Sequence, residues 1–130
     1  MAGMKRELRF KLTRRQRILS GRRFSQVYDQ RASAADANLI VYTAANELGF
    51  SRLGLSVGRK HGNAVRRSRI RRLLREAFRL SQHDILAGFD YVLIPRTPNE
   101  AGLDDYRQSF LSLATRAARR AGEHRGQKTQ

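Results

Sequence analysis

Few side chains in this 130-residue chain could move a proton or hold a metal. His61, His83 and His124 are scattered, and no spacing joins them to a serine or a carboxylate as a triad or a ligand set. Cysteine is absent, which excludes disulfides and thiolate zinc sites and suits a reducing compartment. The one acid doublet, Asp104–Asp105, precedes a helical pattern and reads as N-terminal helix charge. No catalytic residue and no metal ligand is expected.

The chemistry that remains is anion binding. The stretch GNAVRRSRIRRLLREAFRL, residues 62–80, holds seven arginines between Arg66 and Arg79 against one acid, Glu76. Solvated helix faces usually mix signs. Here six like-charged pairs fall three or four residues apart, from 66–69 to 75–79, and together cost about 1–3 kcal/mol before screening. Glu76 can relieve only Arg72 and Arg79. Ile70, Leu73, Leu74, Ala77 and Phe78 form an apolar stripe at helical spacing. Burying the four larger ones at about 1.5–3 kcal/mol each holds the helix against the repulsion. Such a helix is viable but electrostatically unfavourable when free, and a polyphosphate removes the penalty.

The whole chain repeats this bias. Lys plus Arg is 27 and Asp plus Glu is 11, a net charge of +16. A small folded domain with that excess points to nucleic acid. Arginine dominates, which favours bidentate phosphate contacts over loose adhesion to a membrane surface. The charge is clustered. Residues 1–31 carry ten basic side chains and residues 59–79 carry nine, with only Arg52 between them. Two blocks mean two surfaces or two edges of one groove. No helix-turn-helix spacing or heptad dimer supports a DNA major-groove reader, so RNA is the better reading. Phe24, Tyr28 and Tyr42 could stack unpaired bases or could be plain core. His61 reads as an RNA contact or an exposed side chain rather than a general base.

The elements that must position these residues follow from periodicity. Residues 1–19 show no period and read as a basic arm. A short helix is expected near Arg22–Arg31, with Phe24, Val27 and Tyr28 on one face and Ser20 as its cap. Residues 32–37 suggest a turn or short edge strand, and 38–45, 51–57 and 89–95 read as strands. In 51–57, Leu53, Leu55 and Val57 share one face. Arg52, Gly54 and Ser56 share the other, which reads as an open face that something could approach closely. Asn63 or Gly62 starts the arginine helix. A last helix spans about Asp104–Arg120. The tail, 122–130, reads as disordered. No segment is long and apolar enough to span a membrane, and no signal-peptide core follows the basic N-terminus, so a soluble intracellular protein is expected. The order makes an α+β layer with helices on a sheet.

The segment GLSVGRKHGNAVRRSRIRRLLREAFR, 54–79, resembles the signature of the bacterial ribonuclease P protein subunit. In that family a strand ending GLSV leads through a Lys/Arg pair and GNAV into a helix centred on Arg-Asn-Arg. FSQVY (24–28), LIVYT (39–43) and FDYVLIPR (89–96) also match, and the likeness spans roughly residues 14–120. Two positions depart from it. Ser68 stands where the family usually has Asn, and SGRRF lacks an acid often found before the first helix.

The resemblance implies one α-β-β-β-α-β-α domain, here 20–121. Its helices pack on a mixed four-stranded sheet with a left-handed β-α-β crossover. It implies a cytoplasmic subunit of an RNA-based endoribonuclease that removes the 5′ leader of precursor tRNA, with the RNA as catalyst and Mg²⁺ held mainly by that RNA. The implied partners are ribonuclease P RNA and precursor tRNA, and no membrane. The protein would be a monomer when free, one copy per RNA. Carried over by position, Arg59, Lys60, Asn63, Arg67, Ser68, Arg69, Arg71, Arg72 and Arg75 would face the catalytic RNA, though Asn63 can equally be a helix cap. Phe24, Tyr28 and Tyr42 would line the cleft for the single-stranded leader.

Overall fold

The structure is a computed structural model and describes residues 11–96 and 100–128. Three helices pack on one mixed sheet of four strands. Helix α1 is Gly21–Asp29; strands β1, β2 and β3 are Ser33–Ala35, Leu39–Ala45 and Arg52–Leu55. Helix α2 is Ala64–Ser81, β4 is Phe89–Pro95 and α3 is Leu103–Lys128. The sheet order is β1-β2-β4-β3. β1 pairs with β2 and β2 with β4 antiparallel, while β3 pairs with β4 in parallel. A parallel neighbour needs a long crossover, and α2 is that crossover.

Alternation along the strands sends side chains to two cores. On one face Leu39, Val41, Leu53, Tyr91 and Leu93 meet the apolar sides of α2 and α3. Ile70, Leu74, Ala77 and Phe78 come from α2, so the stripe read in the sequence is the buried one. Phe78 and Tyr91 pack on Phe110 of α3 with ring centroids 5.8 and 5.6 Å apart. On the opposite face a smaller cluster joins Ile18, Val27, Ala44 and Val92, flanked by Phe24, Tyr28, Tyr42 and Ile94. That face is covered by α1.

Local chemistry sets the helix ends. Ser20 Oγ accepts from the Arg23 amide at 3.3 Å and Asn63 Oδ1 from the Arg66 amide at 2.9 Å. Asp105 reaches back to the Gly102 amide at 2.9 Å, and both acids of the doublet lie in the first turn of α3. Gly62 must be glycine. Its φ is +113°, and a Cβ there would sit 2.6 Å from Arg66 Cδ.

Three expectations change. Of the basic arm, residues 1–10 lie outside the described residues, but the remainder is not an arm. Arg14–Gln16 form a 3₁₀ turn, and the buried Ile18 donates its amide to Leu53 O at 2.8 Å, extending the edge of β3. Two apolar residues, Leu12 and Ile18, pack where no period announced them. Helix α3 continues to Lys128, through most of the stretch 122–130 that composition read as disordered. No proline interrupts it, and its two glycines weaken a helix without ending it. His61 is buried and is neither an exposed side chain nor a surface contact. Its Nδ1 accepts from the Gly58 amide at 2.9 Å, so Nε2 carries the proton and donates to Pro95 O at 2.8 Å. The 3₁₀ turn Arg59–His61 folds the imidazole inward over the end of β4 and leaves Arg59 and Lys60 outside.

Candidate nucleic-acid interface

Helical geometry divides the arginines of α2 among three directions. At 3.6 residues per turn, positions 71 and 75 fall on one flank of the buried stripe and 66 and 69 on the other. Arg71 and Arg75 turn toward β3. With Arg17, Phe24, Leu53 and Leu55 they line a groove of about 290 Å³ whose floor is apolar and whose lining, among the described residues, has no carboxylate. Arg71 is tethered there, donating Nη2 to Val57 O at 3.1 Å. Partial burial, and then repulsion from Arg17, Arg71 and Arg72, lower the pKa of the Arg75 guanidinium. Arg66 and Arg69 border a separate pocket with Tyr106 and Glu100, where Arg66 and Glu100 lie 3.8 Å apart at the surface. Ser68 and Arg72 point outward and are exposed. Arg79 grips Glu76 with two bonds, 2.9 and 2.7 Å, and holds that carboxyl below its ordinary pKa.

Of the nine residues expected to face RNA, the groove therefore gathers Arg71 and Arg75. Arg59 and Lys60 are exposed in the turn before α2, and Arg69 lies across the helix. Arg67 Nε reaches Asn63 O at 3.4 Å. Asn63 caps the helix, as one of its two readings required, and is exposed as well. Of the three aromatics, Phe24 enters the groove. Tyr28 and Tyr42 meet edge to face at 5.0 Å farther across the sheet, half-buried in the smaller core. Phe24 therefore joins what the resemblance treats as two sites, one for the catalytic RNA and one for the leader.

The face of residues 52–56 is not open as expected. Gly54 is buried, and a Cβ there would lie 2.8 Å from Phe24 Cζ and 3.1 Å from Ile18 Cδ1. The group that approaches this backbone is the chain's own phenyl ring, and the missing side chain is what admits it.

Sequence reasoning missed Asp90. It sits fully buried in β4 and accepts four hydrogen bonds: Arg23 Nε at 2.7 Å, Arg52 Nε at 2.8 Å, Arg52 Nη2 at 2.6 Å and Asn46 Nδ2 at 2.8 Å. Burial alone would raise its pKa, but the donors from Arg52, Asn46 and Arg23 outweigh it and hold the carboxyl below its ordinary value. The signal was available, because an acid inside an otherwise apolar strand must be paired. The run SGRRF, short of an acid, sends Arg23 across to this one, and Arg23 also donates to Ala45 O at 3.0 Å. These bonds pin α1, and Phe24 with it, against the sheet.

Among the described residues no group of three or more His, Asp or Glu could hold a metal ion, and no helix is long and apolar enough to cross a membrane. The fold and the groove together define a class: a basic α+β protein with an arginine-rich crossover helix and, among the described residues, cations that meet no carboxylate around an apolar floor. The family model described as Ribonuclease P matches residues 12–118. The chain is 37% identical over 103 residues to the ribonuclease P protein component of Thermoanaerobacter sp. (strain X514), covering 78% of this chain and 89% of that one. It is 37% identical over 119 residues to that of Brevibacillus brevis, covering 88% and 94%. The solved RNase P protein from Thermotoga maritima superposes with a TM-score of 0.70 at 32% identity, over 77% of this chain and 96% of that one. The Staphylococcus aureus RNase P protein gives 0.67 at 35%, over 75% and 91%. The chain belongs to the ribonuclease P protein component family.

Proposed function

We propose that this chain binds the catalytic RNA of ribonuclease P and the single-stranded 5′ leader of precursor tRNA, assisting Mg²⁺-dependent hydrolysis of the phosphodiester that joins the leader to the tRNA. The observation that carries the reading is the groove. Arg17, Arg71 and Arg75 supply positive charge with no carboxylate among the described lining residues, and Phe24 supplies an aromatic surface on the same lining. Single-stranded RNA offers the complement, phosphates at regular intervals and bases with an apolar face. The exposed Arg59, Lys60, Ser68, Arg69 and Arg72 extend the charged surface outward for the folded RNA, with Arg67 half-buried among them. Serine at 68 still donates and accepts a hydrogen bond, with a shorter reach than asparagine.

In this reading the protein positions and the RNA catalyses. Asp90 is the one fully buried carboxylate among the described residues, and its lone pairs are taken by two arginines and an asparagine. That carboxylate has no lone pair left for a metal, and in this reading Mg²⁺ belongs to the RNA subunit. The complex works in the cytoplasm with one protein per RNA. Adding the protein to a bacterial ribonuclease P RNA at low Mg²⁺ is expected to speed leader removal, while the protein alone cuts nothing. An unchanged ribozyme rate, or cleavage without RNA, would overturn the reading.

A further inference from the structure

The basic surface does not end at the groove. The segment Arg17–Leu19 forms one wall of it, and the same segment walls a second cleft of about 430 Å³ on its other side. Arg14, Arg15, Arg17, Arg23 and Arg52 line that cleft, with Ser20 at the capped start of α1. Five guanidiniums therefore surround one depression. The only carboxylate touching any of them among the described residues is Asp90, which is shared by Arg23 and Arg52 from below. Arg15 lies over the Phe50 ring at 5.1 Å. No acid stands in the first turn of α1 to offset its N-terminal charge.

The arrangement is built as well as charged. Asp90 fixes Arg52 through Nε and Nη2, and Arg23 is held by Asp90, Gln26 and Ala45. The floor is thus preorganised, while Arg14 and Arg15 are exposed at the rim. Arg17 belongs to both depressions and lines the groove together with Arg75.

We propose that this second cleft is a phosphate-binding extension of the groove, taking further phosphates of the same single strand of RNA as it crosses Arg17. The inference rests on the reading of the groove as a single-strand site and lengthens it. Arg14 and Arg15 become length-sensing contacts: short strands fill the groove alone, and longer strands reach the cleft.

The test uses the full chain and 5′-fluorescein oligouridylates of increasing length, read by fluorescence anisotropy between 50 and 200 mM salt. For the wild type, affinity should rise with length. For Arg14→Gln/Arg15→Gln the rise should stop early, with about a tenfold loss confined to the longest strands. The slope of log affinity against log salt should become shallower by about 1.4, at about 0.7 per lost contact. Arg14→Lys/Arg15→Lys should recover the slope, because the charge is kept. An unchanged length profile, an equal loss at every length, or no recovery by the lysine variant would each overturn the cleft. Arg71→Ala/Arg75→Ala separates the two readings. If it weakens binding at all lengths while the Arg14/Arg15 variants behave as wild type, only the extension fails. If it too has no effect, the groove itself is misread.

Discussion

Arg52 and Arg71 stand on either side of one edge strand and do opposite work. Arg52 gives two hydrogen bonds to the buried Asp90, beside Arg23, so part of its charge is neutralised from below and its guanidinium is anchored to the sheet. Among the described residues of the groove lining Arg71 and Arg75 meet no carboxylate; Arg71 donates to a carbonyl oxygen and Arg75 is repelled by Arg17, Arg71 and Arg72. Residue type is the same, so the partner decides the role. Where an acid is buried, arginine fastens α1 to the sheet. Where none is present, arginine is left for an external anion. The two regions also depend on each other, because the ring that floors the groove, Phe24, stands on the helix that Asp90 pins.

The largest effect expected from this contrast is at Asp90. Asp90→Ala leaves two guanidiniums without their counter-charge and should lower stability by about 3 kcal/mol in urea unfolding, the low end for a broken buried pair because the arginines keep about a quarter of their surface in water. A loss under 1 kcal/mol would make the pair ornamental. The same site carries a pH signature. The folded carboxyl is depressed below its ordinary 3.8, so its contribution is complete above that value and is lost as pH falls through the folded value. Wild type should lose this increment in acid, and Asp90→Ala should not.

A smaller effect is expected at Gly54. Gly54→Val drives a branched side chain into Phe24, and overpacking of that kind costs about 1–3 kcal/mol. The variant should also bind RNA less well, since Phe24 must move out of the groove. Stability lost with RNA affinity intact would separate the ring from the site. Phe24→Ala should weaken precursor tRNA binding to the reconstituted complex more than mature tRNA binding; equal losses would return the ring to the core.

The smallest stability change is expected at Arg75. Arg75→Ala removes a repelled cation and should shift stability by no more than about 0.5 kcal/mol in either direction. Urea unfolding that shows a loss comparable to Asp90→Ala would erase the distinction between the two regions.

The sequence made the elements legible where one period ran unbroken. The stripe from Ile70 to Phe78 fixed the buried side of α2, and Ser20 and Asn63 marked the starts of two helices. What stayed hidden was pairing across the chain. His61 with Pro95, Gly54 with Phe24 and Asp90 with Arg23 are each joined over 30 or more residues. Periodicity reports which way a residue faces along its own element and says nothing of what it meets. The division of the arginine helix into a groove flank and an opposite flank was implicit in its spacing. It became meaningful only once β3 and α1 were seen on one side and α3 on the other.

Arg71 and Arg75, which meet no carboxylate among the described residues, are the groove arginines expected to hold RNA. This is tested most directly by the salt dependence of affinity for a ribonuclease P RNA, wild type against Arg71→Ala/Arg75→Ala. At about 0.7–0.9 per phosphate contact, the slope of log affinity against log salt should become shallower by about 1.4–1.8. An unchanged slope in a variant that folds normally would contradict it.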